Sequence, residues 1–136
     1  MTIERFGSGG PYEQIYGYSR VVRAGDRLVT AGSTATVDGA VTGIGDPHAQ
    51  TLTAFRIALD ALAGAGAEPE DVIRTRMYVT DRAHADAAGR AHGELFAAVR
   101  PAATLVVVAG LLDPAMLVEV EVEAYIGGRR LTRVDA

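Results

Sequence analysis

Two segments of this chain alternate between apolar and polar residues in the manner of β-strands. In residues 117–126, LVEVEVEAYI, the valines Val118, Val120 and Val122 with Ala124 and Ile126 face one way, and Glu119, Glu121, Glu123 and Tyr125 the other. In residues 71–81, DVIRTRMYVTD, the corresponding sets are Ile73, Thr75, Met77 and Val79 against Arg74, Arg76 and Tyr78. Both segments are therefore predicted to be strands with one covered face and one polar face.

Shorter apolar runs, separated by turn residues, predict further strands. Val and Leu runs on either side of Ala24-Gly25-Asp26 predict one hairpin, and Asp38-Gly39 predicts a second with a type I′ turn. The apolar run TLVVVAG, residues 104–110, predicts another strand, which we expect to lie beside the strand at 117–126. Residues 1 to 16 are rich in glycine and turn formers and are predicted to be a loosely structured lead-in.

Helical spacing appears twice. The first predicted helix begins after Asp46, which can cap it, with Pro47 at its first position. It ends at Gly64 or Gly66. Its predicted core face consists of Leu52, Phe55, Leu59 and Leu62. A second helix is predicted from Arg82 to Val99, with Asp81 as its cap and Pro101 preventing its continuation. The predicted order is ββββαβαββ in a single domain, residues 1–136, with both helices on one face of the sheet.

Composition excludes several classes of site. The chain has 136 residues and no cysteine, which rules out disulfides and thiolate zinc sites. His48, His84 and His92 have no metal-binding spacing, and no phosphate-binding loop or other cofactor motif is present, so no metal and no cofactor are expected. Thirteen basic residues against seventeen acidic ones give a net charge of −4, which argues against a nucleic-acid partner, and the arginines in residues 127–136 are interpreted as a solvated tail.

Hydropathy and the polar sheet face indicate where the protein acts and how it associates. No signal peptide and no run of the roughly 20 apolar residues that span a bilayer is present, so we expect a soluble cytoplasmic protein with no membrane contact. The sheet face opposite the helices combines arginines and glutamates with one side of the apolar run 105–108. A mixed surface of this kind suits a subunit interface with polar clefts, which predicts a homo-oligomer.

Four stretches together resemble the Rid (YjgF) family of imine and enamine deaminases. They are GYSRVVRAGDRLVTAG at 17–32, DPHAQTLTAFRIALDALAGAGAEPEDVIRTRMYVTD at 46–81, RPAAT at 100–104 and DPAMLVEVE at 113–121. The resemblance covers residues 17 to 126. It implies a chorismate-mutase-like α+β fold with a mixed sheet and two helices on one face. It also implies a homotrimer in which the sheets form an inner β-barrel and small-molecule clefts lie between subunits.

The resemblance also implies site residues. Tyr18, fourteen positions before Gly32, matches the tyrosine that closes the pocket, whereas Tyr12 in GGPYEQ lies six residues too far away. Glu119 matches the glutamate that orients the hydrolytic water, with Glu121 as the alternative if the preceding loop aligns differently.

Other family positions hold unexpected residues. The arginine that binds the substrate carboxylate is replaced by Ala103, an asparagine position falls near Gly89, and an aromatic position holds His92. The chain therefore resembles the branches of the family that lack the arginine. Losing a bidentate charged contact removes about 1.5 to 3 kcal/mol or more, roughly tenfold to a hundredfold or beyond in affinity. Classical 2-iminobutanoate deaminase activity is therefore not expected.

Two functions stay open at this point. One is hydrolysis of an imine or enamine without a conventional α-carboxylate, with Glu119 orienting water and backbone N–H groups near Thr104 and Leu105 stabilising charge. The other is a non-catalytic trimer that binds a metabolite or partner protein in the same cleft. Positive charge in place of the missing arginine could come from Arg76 on the adjacent strand or from Arg100, whose position before Pro101 predicts an extended backbone. For Glu121 and Glu123, ion pairs with Arg74 and Arg76 are the favoured interpretation.

Overall fold

A computed structural model of the protein describes residues 1–128, so the predicted C-terminal tail lies largely outside the described residues. The strands are β1 Ile3–Phe6, β2 Val21–Ala24, β3 Arg27–Thr30, β4 Ser33–Thr34, β5 Thr36–Val37, β6 Ala40–Val41, β7 Val72–Val79, β8 Ala102–Val107 and β9 Val118–Tyr125. The α-helices are α1 Pro11–Tyr16, α2 Pro47–Gly64 and α3 Ala85–Phe96, and 3₁₀ turns at Pro69–Asp71 and Arg82–His84 precede β7 and α3.

Seven strands form one mixed sheet in the order β1-β2-β3-β9-β7-β8, with the short β4 also paired to β9. The β7–β8 pair is parallel and the other pairs are antiparallel. Helices α2 and α3 contact each other and pack on the sheet against β9 and β7. The buried core lies between these two layers and includes Phe55, Leu62, Phe96, Val120 and Val122. The predicted α+β fold with a mixed sheet is therefore confirmed.

Both predicted hairpins are present. β2 and β3 pair with Ala24 opposite Arg27, so Gly25 and Asp26 make the turn. In the β5–β6 hairpin, Asp38 and Gly39 have φ angles of 51° and 80°, as the type I′ turn requires.

The predicted caps also hold. The Asp46 carboxylate accepts a hydrogen bond from the backbone N–H of Ala49 at 3.0 Å, and the Asp81 carboxylate accepts one from Ala83 at 2.8 Å. These bonds satisfy backbone donors that would otherwise lack a partner in the first turn.

The buried face of α2 differs in part from the prediction. Phe55 and Leu62 are buried as expected, but Leu52 and Leu59 are only half-buried. The rest of the buried stripe consists of the small residues Ala54, Ala58 and Thr51 and of the polar Gln50. Gln50 satisfies its buried amide by donating to the carbonyl of Ala115 at 2.9 Å and accepting from the N–H of Leu117 at 2.8 Å.

The expectation that β8 and β9 are neighbours is wrong, because β7 lies between them. The chain leaves β7, crosses through α3 and returns as β8 parallel to β7, as a strand–helix–strand unit does. The next strand, β9, then pairs antiparallel on the opposite edge of β7. As a consequence β8 is an edge strand, and most of its residues are exposed.

The prediction for Ile73 is also wrong, and the cause is a β-bulge. The pairing of β7 with β9 shifts between Val72 and Arg74, so two residues lie where a regular strand would place one. Val72 is consequently buried, whereas Ile73 is 45% exposed. The rest of β7 and all of β9 alternate between buried and polar residues as predicted.

Residues 1 to 16 are more ordered than predicted. Ile3–Phe6 pair with β2 along their whole length and extend the sheet by one strand. Pro11 begins the short helix α1, and Gly17, with φ of 74°, ends it. A proline at the start and a left-handed glycine just past the end are usual helix boundaries, and they outweigh the turn-rich composition.

Candidate functional site

A cleft of about 310 Å³ opens where α1, the segment after β3 and the first part of β9 meet. It is lined by Tyr12, Tyr16, Tyr18, Ala31, Gly32, Leu112 and Glu119. The cleft therefore includes the predicted Tyr18, Gly32 and Glu119, and it brings them together within one chain. Tyr12, which the spacing argument set aside, also lines it.

Gly32 allows the Glu119 carboxylate to lie directly against the backbone. A β-carbon added at Gly32 would be 2.9 Å from Cδ of Glu119, closer than side-chain atoms normally approach. Glu119 is opposite Thr34 on one side and Tyr78 on the other, so both neighbouring strands hold its backbone. The glycine is thus a packing requirement for the position of this carboxylate.

Electrostatics set Glu119 apart from the other glutamates of β9. Burial raises its pKa above the usual value, and repulsion from Glu121 raises it further, while Arg20 acts in the opposite direction. Arg20 donates from Nη1 to the Gly32 carbonyl at 2.6 Å, and its Nε lies 3.8 Å from Oε2 of Glu13. A carboxyl whose pKa is shifted towards neutrality is suited to proton transfer.

Tyr12 and Tyr16 form a stacked pair on α1. Their ring centroids are 5.6 Å apart with an interplanar angle of 9°, and the side chains are 56% and 68% exposed. The sequence signal was their spacing of four residues, which places two side chains on one helix face. It was missed because this segment was not predicted to be helical.

Glu121 and Glu123 form hydrogen bonds and ion pairs on the polar face of the sheet. We define the polar face as the side that carries Glu119, Glu121 and Glu123 of β9 and Arg74, Arg76 and Tyr78 of β7. Tyr78 donates to Glu121 at 2.5 Å, and this hydrogen bond raises the Tyr78 pKa. Arg76 Nη1 lies 3.0 Å from Glu123 and 3.8 Å from Glu121. The ion-pair interpretation of these two glutamates is confirmed for Arg76 but not for Arg74, which forms no ion pair within residues 1–128.

A second arginine completes the network at Glu123. Arg27 of β3 contacts Glu123 at 2.7 Å. Burial alone would raise the pKa of Glu123, but the hydrogen bonds from Arg27 and Arg76 outweigh it and lower the pKa. Arg76 therefore lies in an ion-pair network and is not among the residues that line the cleft.

The remaining predicted residues form a second group around β8 and α3. Ala103 is opposite Thr75 and Leu105 is opposite Met77, and both partners are buried on the helix side of the sheet. Thr104, between them, is opposite Arg76 and so faces the polar side.

His92 is part of this second group. Its Nε2 lies 2.8 Å from the Thr75 hydroxyl, and its ring contacts Phe55 and Phe96 with centroid distances of 5.5 and 4.7 Å. Burial lowers its pKa, which favours the neutral imidazole. Gly89, one helical turn earlier on α3, is exposed.

Within one chain the predicted residues thus fall into two groups. Tyr18, Gly32 and Glu119 lie at the cleft, whereas Ala103 and His92 lie on the helix side of β7 and β8. Arg100, the other possible source of positive charge, is exposed. Its φ of 57° is left-handed, so the expected extended backbone is wrong, because its N–H closes the end of α3 on the Phe96 carbonyl.

Within residues 1–128, no group of three or more His, Asp or Glu side chains is arranged to hold a metal ion. No helix in the same range has the length and apolar character needed to cross a bilayer.

Known proteins share this fold and much of this sequence. Residues 11–126 match the family model described as Endoribonuclease L-PSP. An uncharacterised protein of Streptomyces coelicolor is 49% identical over 126 residues, which cover 93% of this chain and 94% of that protein. A crystal structure from Mycobacterium tuberculosis, described as a member of the YjgF/YER057c/UK114 family, is 40% identical with a TM-score of 0.83 and covers 92% of this chain and 100% of its own. A protein of unknown function from Pseudomonas aeruginosa is 32% identical with a TM-score of 0.79, over 92% and 93% of the two chains.

Proposed function

This chain belongs to the YjgF/Rid family, and from that premise we propose that it hydrolyses a reactive imine or enamine metabolite in a cleft between the subunits of a homotrimer. The observation that supports this best is the half-buried Glu119 carboxyl, held against Gly32 beside Tyr18 in an open cleft. The net reaction is R₂C=NH + H₂O → R₂C=O + NH₃. It needs a positioned water and a group that moves a proton, and it needs no cofactor.

In the proposed mechanism Glu119 both positions the water and moves the proton. Its carboxylate accepts a hydrogen bond from a water molecule, which adds to the imine carbon and transfers a proton to the carboxyl. The same proton then passes to the nitrogen, which gives the carbinolamine R₂C(OH)NH₂. Glu119 next moves the hydroxyl proton to the nitrogen, the C–N bond breaks, and ammonia leaves as the carbonyl forms. The raised pKa of Glu119 brings its proton affinity closer to neutral pH, where such a transfer is efficient.

The trimer is proposed because the site is incomplete in one chain. β8 is an edge strand whose outer backbone groups have no strand partner among the described residues, and its Val106 and Val107 are 42% and 51% exposed. A second copy that covers β8 would bring the helix-side group, Ala103 with Leu105 and Gly89, against the cleft of its neighbour. The backbone N–H groups of Thr104 and Leu105 would then be available to the substrate.

Ala103 determines which imines are candidates. An alanine provides no partner for a carboxylate, and Arg76 is already paired with Glu123. We therefore expect the substrate to lack the α-carboxylate of a 2-imino acid.

The lack of the arginine and asparagine side chains of the family's deaminases also favours a second candidate function. It is a trimer that binds a metabolite in the same cleft without converting it. By the sequence resemblance, Ala103 stands where the family's deaminases use an arginine, and their asparagine position falls near Gly89. RNA cleavage, which the description of the family model names, is disfavoured for this chain by its net charge of −4 and by the glutamates of the polar face.

Imines generated in situ distinguish these functions. One oxidase would supply imines from L-amino acids and a second would supply imines from primary amines, with ammonia release measured against the uncatalysed rate. We expect acceleration with amine-derived imines, reduced roughly 10²-fold or more by Glu119→Gln. The matched control Glu70→Gln, at an exposed glutamate, should keep the full rate. Catalysis of neither imine class would contradict hydrolysis and leave the binding function.

A further inference from the structure

The cleft is lined mainly by tyrosine rings and by one carboxylate. Of its seven lining residues three are tyrosines, and the charged one is Glu119. Tyr12 and Tyr16 present a stacked pair of rings that is more than half exposed, and Leu112, 93% exposed, adds apolar surface beside them. An exposed patch of aromatic and apolar side chains marks a surface that binds a ligand or another protein surface.

The nearest cation is directed away from the open space. Arg20 Nη1 is held by the Gly32 carbonyl at 2.6 Å and lies 3.4 Å from the Ser33 hydroxyl, and its Nε faces Glu13. Glu121 adds negative charge behind Glu119 and helps to raise its pKa. The lining residues therefore include no cationic side chain to pair with an anion and one carboxylate to pair with a cation.

Tyrosine rings attract cations through the negative potential of their faces. Tyr18 already does so in this structure, since the Arg20 guanidinium carbon lies 5.8 Å from its ring centroid. The rings of Tyr12 and Tyr16 offer the same kind of surface without an arginine beside them among the described residues.

From these contacts we propose that the cleft selects an organic cation, namely the protonated imine of an amine, with a planar C=NH₂⁺ group paired to Glu119 and its substituent against the tyrosines. This inference rests on the proposed function and names its substrate class. The balanced reaction is R₂C=NH₂⁺ + H₂O → R₂C=O + NH₄⁺. Protonation makes the imine carbon more electrophilic, and the ionised Glu119 both holds the cation and receives the proton of the attacking water.

Binding can be measured without turnover by three probes of nearly the same shape. Benzamidinium carries a planar cationic C–NH₂ group, benzamide is its neutral counterpart, and benzoate is the anion. In calorimetric titrations of the full-length protein we expect benzamidinium to bind about tenfold more tightly than benzamide, and benzoate to bind most weakly. Equal affinities, or a preference for benzoate, would overturn the proposal.

Variants assign the preference to the cleft. Glu119→Gln should abolish the difference between benzamidinium and benzamide, whereas Glu70→Gln should leave it unchanged. Tyr16→Leu keeps an apolar side chain but removes the ring, and it should weaken benzamidinium roughly threefold to tenfold with a smaller effect on benzamide. A cation preference that survives Glu119→Gln would place the binding elsewhere and refute the assignment.

The outcomes also separate this inference from the proposed function. Cation preference without imine turnover would support the inference and refute hydrolysis. Turnover of imines without cation preference would support hydrolysis and refute the inference.

Discussion

At the scale of single residues, the arrangement of the cleft depends on the absence of one methyl group. The Glu119 carboxyl occupies the space that a side chain at position 32 would need. The φ angle of Gly32 is not in the left-handed region, so the backbone itself accepts other residues. Space for the carboxylate, and not backbone conformation, is the reason for glycine here.

Gly32→Ala should therefore displace Glu119 without unfolding the protein. We expect imine hydrolysis to fall roughly tenfold to a hundredfold because the proton-transfer group moves by an ångström or more. The free energy of unfolding, measured by urea denaturation, should change by less than about 1 kcal/mol, since the far end of a flexible side chain can give way.

Gly64→Ala is the matched control, because a β-carbon there meets no atom within 4 Å. It should keep full activity. An unchanged rate in Gly32→Ala would show that the position of Glu119 does not matter for the reaction.

The strand or helix face on which a side chain lies could be predicted from the periodicity of the nearby sequence. Glu119 and Glu121 could be assigned to one strand face from alternation, but not to different partners, because the choice depends on Gly32 and Tyr78 in other strands. His92 could be assigned to a helix, but its hydrogen bond to the buried Thr75 could not be predicted. The reason is that helical spacing fixes the face of a side chain relative to its own helix and leaves open which layer that face meets.

At the scale of elements, α3 is joined to the sheet by a polar contact inside an aromatic cluster. The His92–Thr75 hydrogen bond lies beside Phe55 and Phe96, and Thr75 is fully buried. Burial lowers the His92 pKa below its usual value of 6.5. The folded protein therefore binds a proton at this position less readily than the unfolded chain does.

This difference predicts acid sensitivity. Above pH 6.5 the imidazole is mostly neutral in both states and contributes no pH dependence. As the pH falls below 6.5 the unfolded chain takes up a proton that the folded protein resists, so stability decreases until the pH passes the lowered folded-state pKa. His92→Gln, whose amide can still donate to Thr75, should flatten this part of the urea-denaturation profile.

Ala98→Gln, at an exposed position just after α3, provides the matched control. It leaves His92 and Thr75 in place and should keep the pH dependence of the unmodified protein between pH 6.5 and 5. The same slope in His92→Gln would show that another group causes the acid sensitivity.

Helix starts and tight turns were predictable from the sequence because nearby residues determine them. The order of the strands in the sheet was not predictable. Asp46 and Asp81 mark helix starts because a cap acts within three residues, and Asp38-Gly39 marks a turn for the same reason. The placement of β7 between β8 and β9 depends on a crossover through α3, which no local pattern reveals. The bulge at Ile73 is likewise visible only in the pairing with β9.

At the scale of the whole molecule, the exposed edge at β8 predicts assembly. Val106 is opposite Tyr78 and so lies on the polar side of the sheet, 42% exposed in the isolated chain. In the proposed trimer this surface is buried, and a lysine there would bring an unpaired charge into the interface.

Val106→Lys should therefore dissociate the protein. Light scattering coupled to gel filtration should give three times 14.2 kDa for the unmodified protein and 14.2 kDa for the variant. Imine hydrolysis should be lost together with the trimer, because in the proposed assembly each cleft uses residues from two chains.

Ala63→Lys on the exposed surface of α2 is the control and should leave the assembly intact. A monomeric unmodified protein would contradict both the trimer and the shared cleft.

The stacked tyrosines of α1 give the molecule an optical property of its own. The chain has no tryptophan and five tyrosines, three of which line the cleft, so its ultraviolet emission comes from tyrosine and is weighted towards this one place. We expect a ligand that packs against these rings to change their fluorescence. Binding of a ligand in the cleft can thus be followed by tyrosine fluorescence in unlabelled protein.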